Sequence, residues 1–129
     1  MAGRIAFQGE LGAYSHQACQ QSRPDFEPVP STTFEEVVDR VARGEVDLGM
    51  LAVENSTYGR VADVHSLLPK SGLHIVDEAF VRVHVNLLGV PGAKLENVKE
   101  AHGHVVILPQ CAGFLKAHGI RGKVSSDNA

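Results

Sequence analysis

Four polar residues in succession, Glu54-Asn55-Ser56-Thr57, follow directly on an apolar run and are the first candidates for chemistry. Packing does not require them there, and their amide and hydroxyl groups suit a carboxylate, ketone or hydroxyl of a small molecule. Glu54 could act as a general acid if burial raised its pKa. A structural alternative is that Ser56 or Thr57 caps the helix predicted to follow. Both interpretations stay open at this point.

A second candidate is the glycine-spaced segment Gly9-Glu10-Leu11-Gly12-Ala13-Tyr14-Ser15, which joins a predicted strand to a predicted helix. Glycines let a backbone approach a ligand, and the N–H groups at a helix start suit a carboxylate or phosphate. A tight turn without a ligand is the simpler alternative, and spacing alone favours it. The segment matches neither the Gly-x-Gly-x-x-Gly pattern of dinucleotide sites nor a Walker loop.

Seven histidines and two cysteines raise the question of metal binding or nucleophilic catalysis. His102-Gly103-His104 could supply a ligand pair, but no further ligand is spaced to complete a zinc site, so we expect no metal. Cys111 follows His104 closely enough to suggest a Cys/His nucleophile. A buried thiol on the apolar face of a helix is the favoured interpretation of Cys111. Two cysteines are too few for a disulfide framework.

Length and composition narrow the class of protein. The chain has 129 residues, about one domain's length, and 43% of them are hydrophobic, enough to bury a core. A net charge of −3 argues against a broad nucleic-acid-binding face. No apolar run approaches ~18 residues, so we expect no membrane span, and we identify no apolar signal segment at the start. We expect a reduced, cytoplasmic enzyme or binding domain.

Two hydrophobic periodicities alternate along the chain and predict alternating strands and helices. The predicted elements are a strand at 4–8, a helix at 13–21, an extended piece at 26–29, a helix at 34–41, a strand at 47–53, a helix at 61–68, a strand at 74–90, a turn at 91–92, a helix at 95–101, a strand at 105–108, a helix at 109–118 and a strand at 120–124. The helix at 34–41 has the clearest pattern, with an apolar stripe, Thr33 as N-cap, Glu36 as capping-box partner and Gly44 at its end. In the stretch 74–90, apolar and polar residues alternate, which predicts one buried and one polar face.

Helices that alternate with buried strands predict a mostly parallel α/β sheet. The almost wholly apolar strand at 47–53 is expected to be covered on both faces. Ligands of such sheets bind outside the carboxyl ends of the strands. This rule selects the loops after the strands at 4–8 and 47–53, and the two polar candidate segments lie in these loops.

Several blocks of residues resemble the prephenate dehydratase family in their order and spacing. The blocks are Ile5-Ala6-Phe7-Gln8-Gly9-Glu10-Leu11-Gly12-Ala13-Tyr14-Ser15, Thr33-Phe34-Glu35-Glu36-Val37, Leu51-Ala52-Val53-Glu54-Asn55-Ser56, Gly59-Arg60-Val61 and Gly72-Leu73-His74-Ile75-Val76. The resemblance implies a two-lobed α/β sandwich like that of periplasmic binding proteins, with residues 1–79 as the first lobe and residues 80–129 as the start of the second. It also implies loss of carbon dioxide and water from prephenate, giving phenylpyruvate for phenylalanine biosynthesis, with no metal or organic cofactor.

The family's site residues carry over where this sequence matches its motifs. The resemblance implies substrate contacts from Glu54, Asn55, Ser56, Thr57, Gly59, Ala13, Tyr14 and Ser15 in the first lobe and from His104 and Gln110 in the second. The family's Ser-His-Pro-Gln motif, which precedes a Gln-Cys pair, is only partly kept. It reads Gly103-His104-Val105-Val106 here, followed by Gln110-Cys111.

Two family features do not occur in this sequence. One is the Thr-Arg-Phe motif, whose threonine the resemblance ties most closely to catalysis, and the other is the regulatory ACT domain. Ser126-Asp127-Asn128-Ala129 corresponds to the entry into a helix that the family continues. We therefore expect a truncated form of the enzyme with weak or no activity.

Two alternatives remain. A non-catalytic module of periplasmic-binding-protein type, binding a small carboxylate, would share the fold and the anion-binding loops. A partial domain would self-associate through the unpaired N–H and C=O groups of an exposed sheet edge. We expect a homo-oligomer that binds a small molecule and neither nucleic acid nor membrane.

Overall fold

The computed structural model describes residues 2–125, which form alternating strands and helices. The elements are β1 (Gly3–Gln8), α1 (Tyr14–Ser22), β2 (Phe26–Ser31), α2 (Phe34–Ala42), β3 (Leu48–Met50), β4 (Glu54–Asn55), β5 (Gly59–Arg60), α3 (Ala62–Ser71), a 3₁₀ turn (Leu95–Asn97), β6 (Glu100–Gly103), α4 (Ile107–Gln110), α5 (Ala112–Ala117) and β7 (Arg121–Val124). A three-stranded sheet has the order β2–β1–β3, with all its strands parallel. The expected α/β class with mostly parallel strands is confirmed.

β1 is the centre of the first hydrophobic core because its side chains alternate between two covered faces. Ile5 and Phe7 project to one face, where they pack with Cys19 of α1. Ala6 projects to the other face and packs with Val37 of α2. The two helices therefore cover opposite faces of the sheet, as is typical of parallel α/β folds.

The start of α2 shows how local sequence positions an element. The Thr33 side-chain oxygen accepts a hydrogen bond from the Glu36 N–H at 3.1 Å. The Glu36 carboxylate accepts in return from the Thr32 N–H at 2.6 Å, one residue before the usual capping-box position. This N–H and the Arg40 guanidinium hold the pKa of the Glu36 carboxyl below its ordinary value. Gly44, with φ of +72°, follows the helix, so the predicted helix and its Thr33 cap are confirmed.

β3 is shorter and less covered than the sequence predicts. The apolar run at 47–53 predicts a strand buried on both faces, but only Leu48–Met50 pairs with β1. Leu48 and Met50 are half-buried, and Val53 is 44% exposed. β3 has a neighbouring strand on one side only in the described sheet, so its apolar composition does not by itself produce burial.

The prediction of a strand at 74–90 is wrong for the described structure, because none of these residues pairs with another strand. Val81 and Val83 are half-buried, as the alternation predicts. Val85 and Leu87 are each 43% exposed, so the apolar face is not buried along its whole length. A strand needs a partner for its backbone N–H and C=O groups, and the described residues supply none to this stretch.

A two-stranded parallel sheet, β6–β7, forms the other core, where Ala101, Leu115 and Ile120 are buried. The last predicted strand corresponds to β7 and is confirmed. The helix predicted at 109–118 is observed as two short helices, α4 and α5, that meet at Cys111.

Other boundaries near this sheet differ from the predictions. The turn at 91–92 is present, but the helix predicted at 95–101 is reduced to the 3₁₀ turn. The strand predicted at 105–108 is wrong, because the strand lies earlier, at β6. A short apolar run does not distinguish a strand from a buried helix, and Val106 and Ile107 belong to the start of α4.

The helix predicted at 61–68 extends further than expected. α3 runs through Pro69 to Ser71 and ends at Gly72, whose φ is +72°. A proline in the last turn removes one backbone donor without preventing the preceding turns from forming. The predicted stop at Leu68 is therefore too early.

The chain divides into two compact units. The first comprises the described residues up to Asn55 together with Gly59–Val83, and the second comprises Ser56–Tyr58 and the described residues from His84 onward. The lobe boundary expected between residues 79 and 80 stays a prediction.

Two further expectations concern the ends and the surface of the chain. The helix entry expected at 126–129 lies outside the described residues. Within residues 2–125, no helix is long and apolar enough to cross a membrane.

Candidate functional site

The carboxyl ends of β1, β2 and β3 lie side by side at one edge of the sheet. Phe7 of β1 is in register with Met50 of β3. The Gly9 N–H donates a hydrogen bond to the carbonyl of Ser31, at the end of β2, at 2.9 Å. The two candidate segments therefore leave the sheet at the same edge, which is where parallel sheets bind their ligands.

The segment after β1 is fixed by glycine conformations and by one histidine. Gly9 and Gly12 have φ of +118° and +98°, values that residues with side chains rarely adopt. The Gly12 N–H donates to His16 Nδ1 at 2.9 Å, and the His16 ring stacks on Phe7 with centroids 5.5 Å apart. The loop is thus tied directly to the core of the sheet.

The start of α1 lies at this edge of the sheet. Ala13 is the N-cap, no side chain caps the helix, and no acidic residue lies in its first turn. Tyr14 is 41% exposed, and Ala13 and Ser15 beside it are half-buried. The N–H groups and the positive end of the helix dipole suit an anion such as a carboxylate.

The second candidate segment is a small antiparallel hairpin formed by β4 and β5. Glu54 is in register with Arg60, and Asn55 with Gly59, whose φ is +101°. Its turn consists of the polar residues Ser56 and Thr57 together with Tyr58, all of them exposed. Amide and hydroxyl groups are thus presented close together in sequence on a short, well-defined turn.

The base of the hairpin is anchored to α3. The Val61 N–H donates to the Val53 carbonyl at 3.0 Å, and His65 Nε2 lies 3.0 Å from the same oxygen. This double contact on one carbonyl fixes the chain where it enters β4. His65, in the first turn of α3, thus contacts the residue directly before β4.

Two interpretations from the sequence are corrected here. Val61 is the N-cap of α3 and no side chain caps that helix, so neither Ser56 nor Thr57 has the capping role. Glu54 is exposed, and the burial that the general-acid role required is not observed. Helix capping therefore does not explain the hydroxyl groups of Ser56 and Thr57. Ligand recognition remains the open interpretation.

The candidate residues from the second unit lie close to each other around Val106. The Val106 N–H donates to His104 Nδ1 at 3.2 Å, and Gln110 Nε2 donates to the Val106 carbonyl at 2.8 Å. Both side chains are half-buried; His104 precedes α4, and Gln110 is its last residue. They form a local pair within the second unit.

Sequence reasoning missed the positioning roles of His16 and His65. His16 contacts the Gly12 N–H of the first segment, and His65 contacts the Val53 carbonyl directly before the second. Both histidines lie in the first turn of the helix that follows the segment. That placement is the signal that could have identified them. His118 makes a similar local contact, with its Nδ1 2.9 Å from the Phe114 carbonyl oxygen.

Metal and cysteine chemistry receive no support from the part of the chain that is described. Residues 2–125 contain no group of three or more potential ligands that could hold a metal ion. Cys19 is buried, and burial raises the pKa of its thiol to about 11. Cys111 is half-buried and packs against the Ala101 core, in keeping with a structural thiol.

The fold and the loops at its sheet edge define an α/β protein suited to binding a small anionic molecule. A family model described as prephenate dehydratase matches residues 5–129. The chain belongs to the prephenate dehydratase family, whose members are lyases.

Relatives and solved structures agree with this assignment. The chain is 46% identical to a "bifunctional N-acyl-homoserine lactone acylase/prephenate dehydratase" of Komagataeibacter europaeus, over 97% of this chain and 44% of that protein. It is 40% identical to "arogenate dehydratase/prephenate dehydratase 1, chloroplastic" of Arabidopsis thaliana, over 98% of this chain and 32% of that protein. The chain thus spans less than half the length of these relatives.

Two solved structures share the fold. The prephenate dehydratase of Staphylococcus aureus matches with a TM-score of 0.75 and 21% identity, over 96% of this chain and 48% of that one. A structure described as a novel type of quorum quenching acylase matches with a TM-score of 0.74 and 46% identity, over 95% of this chain and 45% of that one. The fold expected from the sequence is thereby confirmed.

Proposed function

We propose that this chain is the substrate-binding part of a prephenate dehydratase catalytic domain and that its ligand is prephenate. The observation that carries this proposal is the shared sheet edge from which the start of α1 and the β4–β5 hairpin both arise. Prephenate has two carboxylates, and the two segments offer complementary donors. Family membership supplies the choice of prephenate among small dicarboxylates.

In this proposal each segment has its own role. Ala13, Tyr14 and Ser15, at the start of α1, contact one carboxylate, with the positive end of the α1 dipole behind them. Asn55 donates its amide, and the Ser56 and Thr57 hydroxyls complete the second set of contacts. The remaining proposed contacts are the Glu54 side chain, the Gly59 backbone and, from the second unit, His104 and Gln110.

Turnover by the 129-residue chain is proposed to be weak or absent. The Thr-Arg-Phe motif that the family resemblance ties to catalysis occurs nowhere in the sequence. We also propose a reduced, cytoplasmic setting without metal or organic cofactor. The free Cys19 and Cys111 support that setting.

The test combines prephenate binding with turnover. Calorimetric titration of the purified chain with prephenate should show saturable binding, whereas phenylpyruvate formation should stay near the uncatalysed rate. Arogenate is the second ligand to titrate, because several relatives are named arogenate dehydratases. Binding of an unrelated anion or amino acid, with none for prephenate or arogenate, would instead support the non-catalytic binding module.

Hydrolysis of N-acyl-homoserine lactones is a second candidate function. It is favoured by the 46% identity, over 97% of this chain, to a relative whose name includes acylase activity. Incubation with an N-acyl-homoserine lactone should then release homoserine lactone and a fatty acid above the rate of a heat-denatured control. Equal rates in the two samples would reject this candidate.

A further inference from the structure

We propose that His16 is a positioning residue of the prephenate site: its uncharged ring holds the Gly12 N–H, and with it the segment 9–15, without placing a negative charge beside an anionic ligand. The inference rests on the proposed function and deepens it, because it names what makes the start of α1 suited to a carboxylate. In this role His16 acts through Gly12 and makes no contact with the ligand. Three observations support it.

The first observation is the protonation state that the hydrogen bond requires. The Gly12 N–H donates to His16 Nδ1 at 2.9 Å, so this ring nitrogen carries no proton. A doubly protonated imidazolium ring has no acceptor and could not make the contact. In the contact that the structure shows, the His16 ring is therefore neutral and carries its proton on Nε2.

The second observation is the fixed position of the ring. His16 stacks on Phe7 with centroids 5.5 Å apart and an interplanar angle of 22°. Phe7 is fully buried in β1, so the His16 ring rests on a side chain that the core holds in place. Gly12 has φ of +98°, and a glycine adopts many backbone conformations unless a contact selects one. The stacked ring supplies that contact.

The third observation comes from the corresponding position of α2. Glu36 and His16 are each the third residue of their helix, and each accepts a hydrogen bond from the backbone N–H four residues earlier. In α2 that N–H belongs to Thr32, and the acceptor is a carboxylate. The two helix starts therefore share the geometry of this contact and differ in the charge of the acceptor.

The difference in charge extends over the first turn of both helices. α2 has Glu35 and Glu36 in its first turn, whereas the first turn of α1 contains no acidic residue. Glu10, the acidic residue of the segment 9–15, is exposed and lies outside the helix. A carboxylate at the start of α1 would repel an anionic ligand and offset the positive end of the helix dipole. His16 provides the acceptor without that repulsion.

A matched series at position 16 separates the acceptor from its charge. His16→Gln and His16→Glu both offer a side-chain oxygen that can reach the N–H four residues earlier, as Glu36 does in α2. In calorimetric titration with prephenate, His16→Gln should stay within about threefold of the unchanged chain, because the acceptor is kept. His16→Glu should bind about tenfold or more weakly than His16→Gln, because only the charge differs. His16→Leu, which has no acceptor, should bind about tenfold more weakly than the unchanged chain.

Two controls separate the charge effect from other effects of substitution. Gln21→Glu adds the same charge to an exposed residue near the other end of α1 and should change prephenate affinity by less than about twofold. Added salt should narrow the difference in affinity between His16→Glu and His16→Gln, because salt screens repulsion between charges. Circular dichroism confirms that each variant is folded.

Nuclear magnetic resonance tests the positioning role without a ligand. In the unchanged chain, Nδ1 of His16 should have the nitrogen chemical shift of an unprotonated ring nitrogen, and the Gly12 amide should exchange slowly with solvent. In His16→Leu the Gly12 amide should exchange about tenfold faster or more, because its hydrogen bond is lost. His16→Gln should keep most of the protection.

Three results would overturn this inference. The first is equal prephenate affinity for His16→Glu and His16→Gln at low salt. The second is a His16→Leu variant that binds prephenate as tightly as the unchanged chain. The third is a protonated Nδ1 or an unchanged exchange rate of the Gly12 amide in His16→Leu. An unchanged chain that binds no prephenate contradicts the proposed function instead, and the ligand-free measurement then decides whether His16 positions Gly12.

Discussion

The two compact units bury their core residues to different degrees. In the first unit, Ile5, Ala6 and Phe7 of β1 are 2%, 0% and 0% exposed. In the second, Ala101 and Leu115, beside β7, are 8% and 9% exposed. β1 has a neighbouring strand on each side and a helix on each face, whereas the β6–β7 sheet has two strands only. Burial therefore follows the number of covering elements more closely than it follows apolar composition.

The largest expected effect is the loss of folding stability when a core side chain is truncated, and it tests the difference between the two cores. Phe7→Ala should lower the free energy of unfolding by about 3–5 kcal/mol, because removal of the fully buried ring leaves a cavity between the sheet and α1. Leu115→Ala should cost about 2 kcal/mol, at the low end for a buried leucine, because its smaller cluster can relax. Urea denaturation followed by circular dichroism measures both values.

Leu88→Ala is the control for these core variants. Leu88 is 86% exposed, so its truncation should change the free energy of unfolding by no more than about 0.5 kcal/mol. An equal cost for Phe7→Ala and Leu115→Ala would contradict the difference between the two cores.

Two glycine substitutions, one in each unit, should change the free energy of unfolding in opposite directions. A Cβ at Gly49, in β3, would lie 2.9 Å from a Val37 methyl group and 3.2 Å from one of Val41, so Gly49→Ala should destabilise by about 1–3 kcal/mol. A Cβ at Gly113, inside α5, would meet no atom within 4 Å. Gly113→Ala should therefore stabilise by about 0.5–1 kcal/mol through helix propensity.

Thermal or urea unfolding of both glycine variants checks these signs. A neutral or stabilising Gly49→Ala would show that α2 packs less tightly on β3 than the structure indicates. A destabilising Gly113→Ala would show a hidden contact in α5.

How far the sequence predicts this structure depends on whether the signals for an element are local. β1, α1 and α2 are predicted because their signals are local, such as the Thr33 cap and the apolar stripe of α2. The stretch at 74–90 is mispredicted because a strand exists only with a partner, and apolar alternation does not reveal whether that partner is present. The region at 95–108 fails since short apolar runs fit a strand or a helix equally.

The candidate site is predictable to a similar extent. The segments at 9–15 and 54–57 could be located from the rule that ligands bind at the carboxyl ends of parallel strands. The anchoring contacts of His16 and His65 could not, because each depends on where a loop carbonyl or N–H comes to lie in the folded chain. The sequence alone does not show which backbone group a histidine side chain contacts.

A smaller effect concerns the α2 cap of the first unit. Thr33→Ala removes the side-chain acceptor of the Glu36 N–H and should cost about 1 kcal/mol. Thr33→Ser keeps the acceptor and should cost much less, so the two variants together separate capping from packing. The difference in their urea midpoints is the measurement, and equal midpoints would assign the effect to the lost methyl group.

Thiol reactivity compares the two cores without changing the sequence. Burial raises the pKa of Cys19 from 9.0 to about 11, so its thiol should resist alkylation in the folded chain between pH 7 and 9, whereas half-buried Cys111 should react first. Since the folded pKa exceeds the unfolded one, the fold should lose stability as pH rises from about 9 towards 11. Mass spectrometry of peptides after timed alkylation measures the order, and faster labelling of Cys19 would contradict the burial difference.

The central claim is that the β4–β5 hairpin of this family member binds prephenate, and calorimetric titration of one amide pair tests it most directly. Asn55→Ala should weaken prephenate binding by about 1–3 kcal/mol, because the ligand group that it serves is left unpaired. Asn97→Ala, at the end of the exposed 3₁₀ turn, removes the same amide elsewhere and should leave binding unchanged. Equal prephenate affinities for Asn55→Ala, Asn97→Ala and the unchanged chain would contradict the claim.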